Sequence, residues 1–247
     1  IDKQQYDHRK ATTPSKKYKE VIFIGSQNSK LKQLIDAQGV IFSKKANTPS
    51  LLLYIVDGSQ KLDASTKDEI QKQIAKGADV WIWGLTPETV AAYNEILPLP
   101  VSLDNLQRSS FLPVQKSWMH GLNNSDFYFC ELQTNASSYS LKGAFVEEGD
   151  VLLNACKTDW RKWNKRPEEI KTAGTIRSEY ECTAATPVFV KCQQNASTFY
   201  LNTLTEFANS EKGFNTLSAI LKNAGIAFQK PEVNIDEVFF LRDEQIN

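Results

Sequence analysis

The chain has 247 residues, of which 41% are hydrophobic, and its 29 basic residues match its 29 acidic ones. This length suits one large or two small domains with a hydrophobic core. The balanced charge argues against general nucleic-acid binding, which needs a basic surface, and no stretch reaches the roughly 20 apolar residues of a membrane span. We therefore expect no nucleic-acid partner and no membrane segment.

The chain is predicted to divide into three parts. Residues 1–18 are polar and are expected to form a linker or an extended arm, and the first residue is Ile1, not Met, which indicates a processed protein or a piece of a longer one. Residues 19–225 contain the predicted domain. Residues 226–247 are expected to be a tail or the start of a following domain.

Three apolar runs alternate with helical patterns in the first half of the domain. The runs are residues 21–25 (VIFIG), 51–56 (LLLYIV) and 79–84 (DVWIWG), with helices predicted at 28–39, at 65–78 and from Thr86 onward, and a short strand at 40–43. Continuously apolar strands are typical of parallel sheets that helices cover on both faces. The pattern therefore predicts an α/β fold with a mostly parallel sheet.

The corner after the third strand is where hydrolases with such sheets place a Cys or Ser nucleophile. Here Gly84, Leu85 and Thr86 occupy it, and Thr86 is interpreted as a helix cap because Pro87 follows. The two histidines of the chain are His8, in the polar arm, and His120. This composition predicts that the chain has no catalytic residue of its own.

The turns after the first two strands are interpreted as structural. Residues 25–29 (GSQNS) lack both glycine patterns that cradle phosphates, so Asn28 or Ser29 is expected to cap the next helix. Asp57 with Gly58 is expected to make a turn. No cofactor is expected.

The second half predicts further strands and one helix. Residues 151–155 form a buried strand, and residues 187–192 and 197–202 form a hairpin around Gln194 and Asn195, with Val190 opposite Phe199 and the hairpin extending the sheet at one edge. Residues 213–225 carry the apolar spacing of an amphipathic helix that ends at Gly225.

The four cysteines are Cys130, Cys156, Cys182 and Cys192, and none belongs to a CxxC pair. This spacing argues against a zinc site and favours buried free thiols. No metal is expected, and cysteine usage leaves the cellular compartment open.

Three tryptophans are candidates for ligand binding. Trp160 and Trp163 lie three residues apart, so they share a face if the segment is helical, and Trp118 lies in a loop-rich region. Tryptophan faces stack on sugar rings, but paired tryptophans at this spacing usually pack in a core or a domain contact. Both interpretations stay open, and the spacing favours packing.

Four segments of the chain carry a resemblance to a known family: residues 120–131 (HGLNNSDFYFCE), 151–160 (VLLNACKTDW), 170–179 (IKTAGTIRSE) and 199–204 (FYLNTL). They resemble the amidotransferase-like region of large bacterial glycoside hydrolases of family 2, the β-galactosidase-like group, over about residues 19–225. The resemblance implies a class I glutamine amidotransferase-like, flavodoxin-related fold without the catalytic cysteine and histidine of true amidotransferases.

The resemblance also implies a setting for the domain. It would belong to a parent chain with a catalytic barrel and β-sandwich domains, which would be its partners, and the parent would be periplasmic or extracellular. Three functions follow as hypotheses: a non-catalytic accessory domain of a secreted β-glycosidase, a carbohydrate-binding module that uses Trp118, Trp160 or Trp163, or a free-standing flavodoxin-like ligand-binding protein. A concave polar pocket near Gly25, Asp57 and Gly84 would favour the third.

Overall fold

The computed structural model describes residues 16–106, 110–114, 119, 121–127, 138–156, 185–205, 207 and 211–227. The strands are β1 (Glu20–Ile24), β2 (Leu52–Asp57), β3 (Asp79–Trp83), β4 (Ser102–Leu106), β5 (Ser110–Pro113), β6 (Ser138–Lys142), β7 (Asp150–Cys156), β8 (Thr186–Gln194) and β9 (Ser197–Asn202). The α-helices are α1 (Lys30–Asp36), α2 (Ala64–Ile74), α3 (Val90–Tyr93), α4 (Ala144–Glu147) and α5 (Glu211–Asn223). Short 3-10 helices occupy Pro49–Leu51 and Asn124–Phe127.

A seven-stranded sheet joins strands from both halves of the chain, in the order β1-β2-β3-β9-β8-β7-β5. The pairings from β1 to β9 are parallel, whereas those of β9 with β8, β8 with β7 and β7 with β5 are antiparallel. Strands β4 and β6 form a separate antiparallel ribbon. The fold is therefore α/β, as expected, but the sheet is mixed and not mostly parallel.

The predicted hairpin exists as β8 and β9, with two corrections. Its turn is Asn195-Ala196, so Val190 faces Leu201 and Phe199 faces Cys192. Asn195 takes the left-handed conformation with φ +54°, which Asn tolerates better than most residues. The hairpin also lies inside the sheet, because β9 pairs with β3 on one side while β7 and β5 continue beyond β8.

The sheet is covered on both faces, and the alternation of β3 shows how. Trp81 and Trp83 lie in one core cluster with residues of α1 and α5, whereas Val80 and Ile82 lie in the other with residues of α2, α3 and α4. The two indole rings stack with their centroids 4.8 Å apart and their planes 2° apart. Helices thus cover each face of the sheet. The described part of the chain contains no helix that could cross a membrane.

The predicted strand at 40–43 is reduced to a single bridge at Val40, followed by a hydrogen bond of 2.7 Å from the Ser43 N–H to the Val21 carbonyl. This segment runs along the free side of β1.

Of the cysteines, Cys192 is buried and free, and burial, with the nearby carboxylates of Glu148 and Asp150, raises the pKa of its thiol.

A side chain caps α1 as expected, and a side chain also caps α2. The Ser29 hydroxyl accepts the Lys32 N–H at the start of α1, and the Asp63 carboxylate accepts the Thr66 N–H at the start of α2. Hydrogen bonds from Ser65 and Thr66 lower the pKa of Asp63 to about 2. The third cap differs from expectation, because α3 begins at Val90 with Thr89 as its N-cap residue, not Thr86.

A buried carboxylate holds three parts of the chain together at the start of β3. Asp79 is completely buried and accepts hydrogen bonds from the Tyr18 hydroxyl at 2.6 Å, the Lys16 amine at 2.8 Å and the Thr198 N–H at 2.8 Å. A buried charge is tolerated when it is paired and hydrogen-bonded in this way. Asp79 therefore links the entry to β1 with β3 and β9.

Replacing Asp79 with Asn should lower the free energy of unfolding by about 1–3 kcal/mol, because the Lys16 amine loses its ion pair and the amide replaces acceptor capacity with a donor. Urea denaturation measures the change. Asp104→Asn is the matched control, since Asp104 is 49% exposed in its ion pair with Lys142 and should change the stability by less than about 1 kcal/mol. Equal effects of the two substitutions would contradict the assigned role of Asp79.

Stability should also fall in strong alkali. Burial, together with the charge of Asp79, raises the pKa of Tyr200 from 10.0 to about 12, and burial raises the pKa of Tyr18 as well. Between these values the unfolded chain has lost the proton and the folded chain retains it, so stability decreases as pH rises from about 10 to 12, by about 1.4 kcal/mol per pH unit for each such tyrosine. Denaturation midpoints from pH 8 to 12 test this slope, and Tyr200→Phe should make it shallower; a flat profile would refute it.

Candidate functional site

A crevice of about 260 Å³ opens where the parallel strands end. It lies outside the carboxyl ends of β2, β3 and β9, the usual location of ligands in open α/β sheets. Six of the residues that line it carry hydroxyl groups: Ser29, Ser59, Thr86, Tyr139, Thr203 and Thr205. The other lining residues are Lys30, Leu31, Asp57, Gln60, Trp83, Gly84 and Leu85.

The corner after β3 is built without a nucleophile. Gly84 turns it with φ +82°, a conformation that favours glycine, and Leu85 is buried among apolar residues. The Thr86 hydroxyl lies 3.3 Å from the Thr89 hydroxyl and also hydrogen-bonds Glu88, whose pKa is lowered by that bond. A carboxylate with a lowered pKa is a weak base, so this contact does not activate Thr86.

Close backbone approach fixes the two loops of the corner against each other. The Gly58 N–H donates to the Trp83 carbonyl at 2.7 Å, and the Thr89 hydroxyl donates to the Gly58 carbonyl at 2.6 Å. A side chain on Gly58 would meet the Leu85 nitrogen at 3.0 Å and a methyl of Ile82 at 2.9 Å. The floor of the crevice is therefore preorganised by the backbone.

Asp57 makes the expected turn and remains at the crevice. One carboxylate oxygen accepts the Ser59 N–H at 3.1 Å and the Ser59 hydroxyl at 2.6 Å, and the other accepts the Gln60 amide at 3.3 Å. Asp57 is 5% exposed. A buried carboxylate is thus held by neutral donors alone among its contacts in the described structure.

Three backbone N–H groups of the loop after β1 donate to neighbouring protein groups. The Ser26 N–H donates to the Gln60 side chain, the Asn28 N–H to the Ser26 hydroxyl, and the Ser29 N–H to the Ser26 carbonyl. Phosphate loops need such groups free to face the ligand. These three N–H groups are therefore not available to a phosphate.

The tryptophans predicted as ligand-binding residues, Trp118, Trp160 and Trp163, lie outside the described residues, and so does His120. Of the three positions named for a strand-end pocket, Asp57 and Gly84 line the crevice and Gly25 does not; Thr86 also lines it. Within the described residues, no group of three His, Cys, Asp or Glu side chains is placed to hold a metal ion.

Sequence reasoning missed Tyr139, Thr203 and Thr205 as crevice residues. Thr203 and Thr205 follow β9, which reaches this edge because it pairs in parallel with β3. The Thr203 hydroxyl donates to the Tyr139 carbonyl at 2.7 Å and so ties the β4–β6 ribbon to the crevice. The two threonines after the second hairpin strand were visible in the sequence. They could be assigned to the crevice only once the pairing of β9 with β3 was known.

Gly84→Ala should lower the free energy of unfolding by about 1–3 kcal/mol, because the left-handed backbone is strained for alanine. The new Cβ would also meet the Thr205 Cγ2 methyl at 2.8 Å. Adding Thr205→Ser, which removes that methyl, should recover the steric part of the loss and leave the backbone part. Urea denaturation of both single variants and the double variant forms the cycle, and additive effects would argue against the contact.

No protein-family model and no curated protein sequence matches this chain. Among solved structures, it is similar to α-L-fucosidase isoenzyme 2 from Paenibacillus thiaminolyticus, with a TM-score of 0.45 and 12% identity over 83% of this chain and 33% of that one. It is also similar to the cold-adapted β-galactosidase from Rahnella sp. R3, with a TM-score of 0.45 and 11% identity over 88% of this chain and 33% of that one. Both structural neighbours are glycosidases, and the chain spans about a third of the length of each.

Proposed function

We propose that this chain is a non-catalytic accessory domain of a secreted bacterial β-glycosidase. The observation that carries the first part of the proposal is the corner after β3, where Gly84 supplies the turn, Leu85 is buried and Thr86 has no activating base among the described residues. The α/β sheet has the layout of an enzyme scaffold, yet its strand-end crevice lacks a nucleophile within the described residues.

The glycosidase setting is supported by the four segments that resemble the amidotransferase-like region of family 2 glycoside hydrolases. The arrangement along β1 adds to the fold part of this resemblance. The 40–43 segment beside β1, followed in space by β2, β3 and β9, gives the order of a flavodoxin-like sheet, 2-1-3-4-5, if that segment is counted as a strand. The partners would then be the catalytic and β-sandwich domains of a periplasmic or extracellular parent chain.

A second function, the binding of a small ligand at the crevice, is favoured by the crevice itself. It is concave, polar and preorganised, and it lies near Asp57 and Gly84. At about 260 Å³ it is smaller than the roughly 300–1,000 Å³ of pockets that hold drug-sized ligands, so it suits one small ring better than a flavin nucleotide. An accessory domain can bind such a ligand without any catalysis. Sugar stacking on Trp118, Trp160 or Trp163 stays a separate prediction.

The first test is enzymatic. The purified chain should hydrolyse neither aryl β-glycosides nor glutamine above the buffer rate, because the described site holds no activated nucleophile. Product release followed over hours at high protein concentration gives the measurement, with Thr86→Val and Asp57→Asn as matched variants. Turnover that either substitution abolishes would overturn the non-catalytic part of the proposal.

The second test concerns the accessory role. Residues 16–227 should be deleted from the full-length gene product, and the remainder compared with the intact protein. An accessory domain predicts a lower thermal midpoint or a changed assembly state, with kcat per folded catalytic module kept within about twofold. Identical stability and assembly, or a gene product without a catalytic module, would contradict the accessory role.

A further inference from the structure

We infer that the crevice accepts a single neutral, hydroxyl-rich ring, the size of one monosaccharide unit, and disfavours anionic ligands. The inference rests on the second function above, ligand binding at the crevice, and names the chemistry of the ligand. Three features of the crevice carry it: the hydrogen-bonding character of its walls, the depth at which its charges lie, and its apolar flank.

Two hydroxyl groups in the walls of the crevice have their own protons already engaged. The Ser59 hydroxyl donates to Asp57 at 2.6 Å, and the Thr203 hydroxyl donates to the Tyr139 carbonyl at 2.7 Å. Each hydroxyl oxygen keeps lone pairs for a further partner. The second carboxylate oxygen of Asp57 has only a long contact of 3.3 Å with Gln60. A matching ligand must therefore bring several donors, as a polyol does.

The charges of the crevice disfavour an anion. Lys30 and Asp57 bring one charge of each sign, but they differ in depth, since Lys30 is exposed and Asp57 is 5% exposed. Water and salt screen the exposed charge, whereas the buried carboxylate acts at short range in a lower dielectric. The buried carboxylate therefore makes the inner part of the crevice negative, and the N–H groups of Ser26 and Asn28 are already bonded and are not available to an anion.

The remaining wall is apolar. Leu31, Trp83 and Leu85 line the crevice beside the hydroxyl groups, but they are only 7%, 1% and 2% exposed, so they offer the edge of the apolar core and not an open face. Trp83 is fixed because its indole N–H donates to the Leu204 carbonyl. A pyranose ring presents hydroxyl groups at its rim and C–H groups on its faces, so it can contact both kinds of wall. A fully polar ligand, such as an inorganic ion, would leave the apolar side without a partner.

The test pairs neutral sugars with their acids. Methyl glycosides of galactose, glucose and mannose, and the three corresponding uronates, are titrated into the full chain by calorimetry and by saturation-transfer NMR. At least one neutral sugar should bind saturably, and its uronate, which has the same ring with a carboxylate, should bind at least tenfold more weakly.

Three variants locate the site. Asp57→Asn should weaken binding of the neutral sugar at least tenfold, and Thr205→Val, which removes one hydroxyl from the opposite wall, should weaken it several-fold. Asp68→Asn changes an exposed carboxylate on α2 and should leave the affinity unchanged. Circular dichroism checks folding; if Asp57→Asn does not fold, Thr205→Val and the sugar-to-uronate ratio of the unaltered chain still decide.

Each contrary outcome has a distinct meaning. Tighter binding of the uronates, or unchanged binding in both crevice variants, would overturn the ligand class. Sugar binding that is lost with Trp118→Ala, Trp160→Ala or Trp163→Ala and kept in the crevice variants would overturn the site and support the tryptophan platform. No binding of any sugar would overturn both this inference and the second function, while the accessory-domain proposal would still depend on the deletion experiment.

Discussion

Burial of β3 on both faces is the constraint on which the rest of the structure depends. All five of its residues are buried, and two of them are tryptophans that stack on one side of the sheet. A strand in this position must have its polar groups satisfied inside the protein. Strands β2 and β9 supply hydrogen-bond partners along the length of β3. At the start of β3, the Asp79 carboxylate accepts hydrogen bonds from Tyr18, Lys16 and the Thr198 N–H.

The carboxyl end of β3 is also buried, and the way the chain leaves the core there shapes the crevice. The chain leaves the core through Gly84, whose N–H donates to the Asn202 carbonyl at 2.7 Å, and Leu85 returns at once to the apolar layer. A glycine that only turns the chain leaves a pocket of hydroxyl groups, whereas a nucleophile there would need a base and room for a substrate.

Local patterns predicted the elements, and non-local pairing decided their arrangement. The apolar runs of β1, β2 and β3 and the amphipathic face of α5 are visible in short windows, because two-sided or one-sided burial fixes their composition. The hairpin of β8 and β9 was visible in a short window, but its place inside the sheet was not, since the pairing of β3 with β9 joins residues 119 positions apart and β7 and β5 continue the sheet beyond β8. The turn at Asn195 shows the same limit at small scale, because Asn suits either turn position and the choice shifts the register.

Some residues of the candidate site could be predicted from local sequence, and others depend on distant strand pairing. Asp57 ends β2, and Gly84 and Thr86 lie in the turn after β3, so the nearness of the two strand ends could be predicted. Tyr139, Thr203 and Thr205 reach the crevice only because β9 runs parallel to β3 and the β4–β6 ribbon packs against it. The tryptophans drew attention through their spacing, and residue spacing alone does not tell a binding surface from a packing one.

The long separation between β3 and β9 has a consequence for how the chain reaches its fold. During synthesis β1, β2 and β3 emerge well before residues 197–202, so the β9 side of β3 has no strand to pair with for more than a hundred residues of elongation. An unpaired, strongly apolar strand edge is a site for wrong pairing between chains. Sheet closure by such a distant strand is also slow. The hairpin of β8 and β9 joins strands that are close in sequence, and its pairing with β3 is the contact that connects the parallel strands to the antiparallel ones.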